Sequence, residues 1–78
     1  MTQSVTAFVE CCHAIVAHCP DQYAKAYAKA GIDLVESRQF DALPTQVLYI
    51  LSNLSYWRGE QARDIRATLK HIAKKWDV

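Results

Sequence analysis

The stretch CCHAIVAHC, residues 11–19, gathers three cysteines and two histidines, the densest concentration of ligand and nucleophile chemistry in the chain. A structural zinc site needs four ligands converging within about 2.0–2.3 Å of the ion. On a helix, only residues three or four apart share a face closely enough to converge, as the paired histidines of H-E-x-x-H do. Here Cys11, Cys12 and His13 are consecutive. Cys12 and Cys19 share a face but stand about 10 Å apart along the axis at helical rise. His13 and His18 point elsewhere, and His71 stands alone downstream. A Cys–His nucleophile fails for the same reason, since close neighbours on a helix diverge. Cys12 and Cys19 therefore read as small core hydrophobes, a common fate of free cysteine. We expect no metal, no cofactor and no catalytic residue.

A different chemistry is offered by YWRGEQARDIR, residues 56–66. Trp57 and Arg58 at an interhelical corner are residue types that dominate binding hot spots. The competing structural roles are a plug at the end of a helical hairpin for Trp57 and a clasp to Glu60 or a helix-terminal carbonyl for Arg58. One glycine makes no phosphate cradle, and the Walker spacing is absent. Arg63 and Arg66 extend the basic surface into a stripe with Lys70 and Lys74. That stripe could follow a phosphate backbone, but Glu60, Asp64 and Asp77 dilute it, and a solvated helix face explains it more simply. Tyr49, Asn53 and Tyr56 line one side of a helix at i, i+4 and i+7, where they would receive a partner or cover the tyrosines of a neighbouring helix. No acid pair or Ser/His/Asp set survives inspection, which argues against an enzyme.

Four segments with helical periodicity must position these residues, and no period-2 strand pattern is present. The first runs from about Ser4 to His18, with Ser4 or Thr2 as N-cap, and Val5, Phe8, Val9, Cys12, Ile15 and Val16 form its apolar face. Pro20 closes it and Asp21 opens the second, expected to continue through Gly31 to about Ser37. Tyr23, Tyr27, Ala30 and Leu34 mark one stripe of the second helix, and Lys25, Lys29, Asp33 and Glu36 another. The third follows Asp41 as N-cap, tolerates Pro44 in its first turn and runs to about Tyr56. Its main face is Leu43, Val47, Ile50, Leu54 and Trp57, with Leu48 and Leu51 widening it. Gly59 reads as the end of that helix. The fourth spans about Glu60 to Trp76, burying Ala62, Ile65, Leu69, Ile72 and Trp76 and turning Arg63, Arg66, Lys70 and Lys74 outward.

Seventy-eight residues make a single helical domain, residues 1–78, near the lower limit for an independent core. At 51% hydrophobic residues the chain is rich for that size, so part of its apolar surface is expected to meet a second copy in a homodimer. Two glycines and two prolines argue against a disordered chain. Residues 1–43 carry Lys25, Lys29 and Arg38 against Glu10, Asp21, Asp33, Glu36 and Asp41, for −2, and the remainder carries +3. That asymmetry is too mild for a dedicated nucleic-acid domain. The N-terminus lacks the basic start of a signal peptide, and no run approaches the ~18 apolar residues of a membrane span. With an odd number of cysteines, the chain reads as cytoplasmic with reduced thiols.

The segment LPTQVLYILSNLSYWRGEQARDIRATLK, residues 43–70, resembles small helical proteins encoded by phages and prophages. The shared elements are Gln46 before LYILSNL, then WRGE, then AR and a basic terminal helix. The resemblance implies a mobile-element origin, and that context favours an interaction protein, since phages carry many compact helical proteins that bind and block host machinery, including inhibitors of CRISPR and of restriction. The expectation is an all-α bundle of about four helices acting as a non-enzymatic interaction module for a host or phage protein. Its candidate partner-binding residues are Arg58, Trp57, Arg63, Arg66, Tyr49 and Tyr56. The alternatives are a small DNA- or RNA-associated regulator using the last helix, and a structural subunit of a phage particle.

Overall fold

The computed structural model describes residues 3–75, and its elements follow the helical periodicity: α1 (Gln3–His18), α2 (Gln22–Glu36), α3 (Leu43–Ser52) and α4 (Glu60–Lys74). A 3-10 turn, Phe40–Ala42, leads into α3. No strand occurs among the described residues. Each helix packs on its sequence neighbours, and α4 closes the ring against α1. Short connections make neighbours antiparallel, giving an all-α, up-down-up-down four-helix bundle.

One hydrophobic cluster runs through all four helices, with Phe8, Ile15, Leu43, Ile50, Leu54 and Leu69 fully enclosed. In α1 the buried face is Val5, Phe8, Cys11, Cys12 and Ile15. It is rotated toward Cys11 from the expected stripe, because α4 as well as α2 leans on this helix, and Val9 and Val16 are left half-buried. Ser4 lies inside the first turn rather than at the cap, and Thr2 is outside the described residues.

Asp21 caps α2 as its position suggests, its Oδ1 accepting from the Tyr23 and Ala24 amides at 2.7 and 3.2 Å. The helix is continuous through Gly31, but the face it buries is Ala24, Ala28 and Gly31 instead of the tyrosine stripe. Small residues win that position because α1 approaches closely. A Cβ on Gly31 would stand 2.6 Å from Phe8 Cζ and 3.4 Å from Cys12 Sγ. Tyr23 and Ala30 are exposed, and Tyr27 sits on the flank beside α3.

The C-terminus of α2 closes with Arg38 at φ 59°, the Gln39 amide donating to Leu34 O at 2.8 Å and the Arg38 amide to Val35 O at 3.1 Å. This is a Schellman arrangement with arginine in the position glycine usually fills. Asp41 does not cap α3; it lies in the 3-10 turn, whose own hydrogen bond from Leu43 N to Phe40 O leads the chain into the helix, with Pro44 in the first turn.

The third helix ends at Ser52, one turn earlier than its apolar pattern suggests. The Ser52 hydroxyl and the Asn53 side-chain Nδ2 both donate to Tyr49 O at 2.9 Å, diverting that carbonyl from the helical ladder. Leu54 and Trp57 still reach the core, through a turn in which Trp57 N donates to Leu54 O at 3.1 Å. Gly59 then serves as the N-cap of α4, at φ 113° and ψ 172°, and not as the end of α3. Ala62, Ile65, Leu69 and Ile72 are buried as the pattern requires, while Trp76 lies outside the described residues.

Candidate interaction surfaces

The helical register of α1 buries Cys11 and Cys12, and the corner before Pro20 buries Cys19; all three thiols are free, and His13 and His18 face solvent. Burial pushes the Cys11 thiol up to about 11, with the neighbouring Glu10 charge adding to the effect. Burial likewise pushes Cys12 up to about 12, with Cys11 contributing. Desolvation disfavours the thiolate, which is both the nucleophile and the metal ligand. Among the described residues no three of His, Cys, Asp and Glu are grouped to hold a metal ion. Cys12 and Cys19 pack as expected, and Cys11, whose place under α4 the sequence face missed, joins them.

Residues 53–59 form an irregular corner with a definite internal order. Trp57 is buried, so it acts as the plug of the α3–α4 hairpin and offers no free aromatic face to a partner. Spacing puts Arg66 on the outward basic side of α4, yet it is half-buried. Its Nη1 donates to Leu54 O at 3.1 Å and to Trp57 O at 2.6 Å. A guanidinium can reach back from the second turn of α4 because the early end of α3 leaves those carbonyls without helical partners.

From this clasped base Tyr56 and Arg58 project outward on either side of the buried Trp57. Tyr56 is 87% exposed, and Arg58 makes no hydrogen bond or ion pair among the described residues. The competing role for Arg58, a clasp to Glu60 or a helix-terminal carbonyl, is not formed among the described residues. Instead Arg63 stands loosely beside Glu60 and Asp64, at 3.9 and 4.0 Å, both exposed and worth little to stability. The basic stripe is thus reduced: Arg66 is engaged with backbone, Arg63 is flanked by acids, and Lys70 and Lys74 remain exposed.

Tyr49 separates from Tyr56, because α3 ends between them. Tyr49 meets α2: its ring lies 5.8 Å from that of Tyr27, inclined at 35°. The same junction is fixed by Gln46, whose Nε2 donates to Tyr27 O at 2.8 Å. Leu48 turns the other way and, with Leu51, Lys70 and Lys74, lines an open groove between α3 and α4. A further groove, between α1 and α4, collects Glu10, Glu60 and Asp64 around Cys11 and Ile65. Sequence spacing gave no sign of it, because it joins residues some fifty positions apart.

No family model, curated protein or solved structure matches this chain. What the fold and surface define is a class: an all-α four-helix bundle with buried thiols, a clasped aromatic–arginine corner and an exposed tyrosine face. No helix among the described residues is long and apolar enough to cross a membrane.

Proposed function

We propose that this chain is a non-enzymatic protein-interaction module whose hot spot is the Tyr56–Arg58 corner. The observation that carries the reading is the pairing of an exposed tyrosine with an arginine that has no hydrogen bond or ion pair among the described residues, on a loop held from behind. Trp57 anchors the loop in the core and Arg66 ties its carbonyls, so Tyr56 and Arg58 lose little additional freedom on binding. Neither residue contributes visibly to folding, and both are types that concentrate binding energy. The resemblance of residues 43–70 to phage-encoded proteins supports a mobile-element origin, a context in which inhibition of a host defence system such as CRISPR is one role open to such a module.

The test is capture from a bacterial host lysate by the wild-type chain and by Arg58→Ala and Tyr56→Ala. A protein retained by the wild type should be lost with either variant, each costing about 1–2 kcal/mol of affinity or more. Thermal melts of both variants should stay close to wild type. Unfolding of Arg58→Ala would make the residue a structural clasp and sink the reading. Capture that disappears with nuclease and falls steeply with salt would instead favour the nucleic-acid regulator built on Lys70, Lys74 and Lys75.

A further inference from the structure

We propose that the uncharged outer face of α3 with the adjoining tyrosine edge of α2, centred on Leu48 and Tyr49, is the surface through which two copies of this chain pair. It lies apart from the Tyr56–Arg58 corner and uses neither residue.

The face is apolar where a solvated face has no reason to be. Tyr23 is 72% exposed, Leu48 58%, Tyr49 51% and Tyr27 38%. Between Asp41 and Arg58 the chain has no lysine, arginine, aspartate, glutamate or histidine. The outward positions of α3 are Thr45, Leu48, Tyr49 and Ser52, and the adjoining exposed positions of α2 include Ala26 and Ala30. At about 150–250 Å² for each tyrosine side chain and somewhat less for leucine, the three tyrosines and Leu48 expose on the order of 450 Å² together. A standard interface takes about 800 Å² from each partner, and the small uncharged neighbours supply much of the difference.

This face is not an unfinished core. The chain exposes 5031 Å² in all, against about 4,800 Å² expected for a compact monomer of its mass. Tyr27 and Tyr49 are already braced by each other and by Gln46. The bundle therefore closes by itself, and pairing joins folded monomers reversibly.

The charge pattern selects a second copy over an unlike partner. At a two-fold axis each residue meets its own counterpart, so any charge near the axis faces its like. A strip empty of charge suits that geometry, and charge appears only at its borders. Lys70 and Lys74 edge the groove beside Leu48. The outer edge of α2 carries the exposed Asp33 and Glu36 together with Lys29. A two-fold axis running along α3 would bring the lysine border of one copy toward the α2 border of the other.

Sedimentation of the full chain across about 1–100 µM tests this, the range in which an interface of modest area should dissociate. The expected result is a concentration-dependent shift to twice the 8.9 kDa chain mass. Leu48→Glu sets carboxylates near the axis in both copies and should weaken pairing at least about tenfold, with helical circular dichroism unchanged. Tyr49→Ala, read the same way, guards against a folding effect specific to Leu48→Glu. A single-chain mass at every concentration overturns the proposal, as does a dimer that both variants leave intact. Arg58→Ala should leave the mass distribution unaltered, which separates this face from the corner.

Discussion

Replacing Gly31 with alanine should reverse the usual sign of a helical glycine substitution. In an open helix interior, alanine is favoured over glycine by about 1 kcal/mol. Gly31 lies inside α2, so propensity alone predicts a more stable protein. The added Cβ, however, would meet Phe8 Cζ at 2.6 Å and Cε2 at 3.1 Å. Phe8 is fully buried, so its ring cannot swing into solvent to make room. Forcing a methyl into a filled core costs about 1–3 kcal/mol. The two terms leave a net loss of up to about 2 kcal/mol, and at the upper end a fall in Tm of several degrees for a domain of this size. Urea unfolding followed by circular dichroism measures it, and a double-mutant cycle with Phe8→Leu assigns the cause. Phe8→Leu alone opens a cavity; in the Gly31→Ala background the methyl occupies it. The pair should therefore be more stable than the sum of single effects by about 1 kcal/mol or more. Stabilisation by Gly31→Ala alone, with no coupling to Phe8, would refute the close α1–α2 approach.

Arg38→Gly should stabilise the chain by about 0.5–1 kcal/mol in the same unfolding assay, because Arg38 occupies a left-handed position at φ 59°. Leu69→Asp should abolish cooperative unfolding by leaving a charge without a partner in the enclosed stripe, while Lys70→Ala, one residue on, should shift stability by less than about 0.5 kcal/mol. Equal losses from the two would place α4 on the wrong face. The buried thiols predict an alkaline limb. Cys11 and Cys12 stand at about 11 and about 12 in the fold against 9.0 as free groups, so above pH 9 the unfolded chain releases protons that the native state retains. Stability is then complete below pH 9 and falls as pH rises toward 12, and Cys12→Ala should flatten that fall. An unchanged slope would show that the Cys12 thiol is not desolvated.

The helices were legible because periodicity and punctuation agree: Pro20 and Asp21 divide α1 from α2, and the apolar stripe of α4 recurs at helical spacing up to Ile72. The face of α2 was not. Tyrosine outranks alanine and glycine in apolar area, so the tyrosine stripe draws the eye. The core instead takes Ala24, Ala28 and Gly31, because what decides is the distance between helix axes, set by a phenylalanine on another helix. No local pattern encodes that distance. The end of α3 was hidden for a related reason. Leu54 and Trp57 continue the apolar stripe in phase, and both are buried, but they reach the core from a turn. Burial periodicity and helical continuity usually travel together, and here Ser52 and Asn53 part them.

That early end governs how much of the candidate site could be read. Trp57 and Arg58 were visible as a hot-spot pair, yet adjacency in sequence places them on opposite sides of an irregular segment, one in the core and one in solvent. Arg66 was grouped with Lys70 and Lys74 by spacing, and that grouping assumes that a basic residue on a polar stripe has nothing to bind within the chain. The assumption fails where a preceding helix stops short and leaves carbonyls unserved. Trp57 O is such an acceptor, Leu54 O keeps a lone pair beside the one that takes the Trp57 amide, and Arg66 is the cation within reach. The clasp thus follows from the break in α3, and the presentation of Tyr56 and Arg58 follows from the clasp. Breaking it separates the two roles: Arg66→Ala should lower stability by about 1–3 kcal/mol through the lost charged hydrogen bonds. It should also weaken partner capture beyond what that loss explains, because the loop no longer holds Tyr56 and Arg58 in place. A variant that melts early yet captures its partner with undiminished affinity would show that the corner does not depend on Arg66 for its shape.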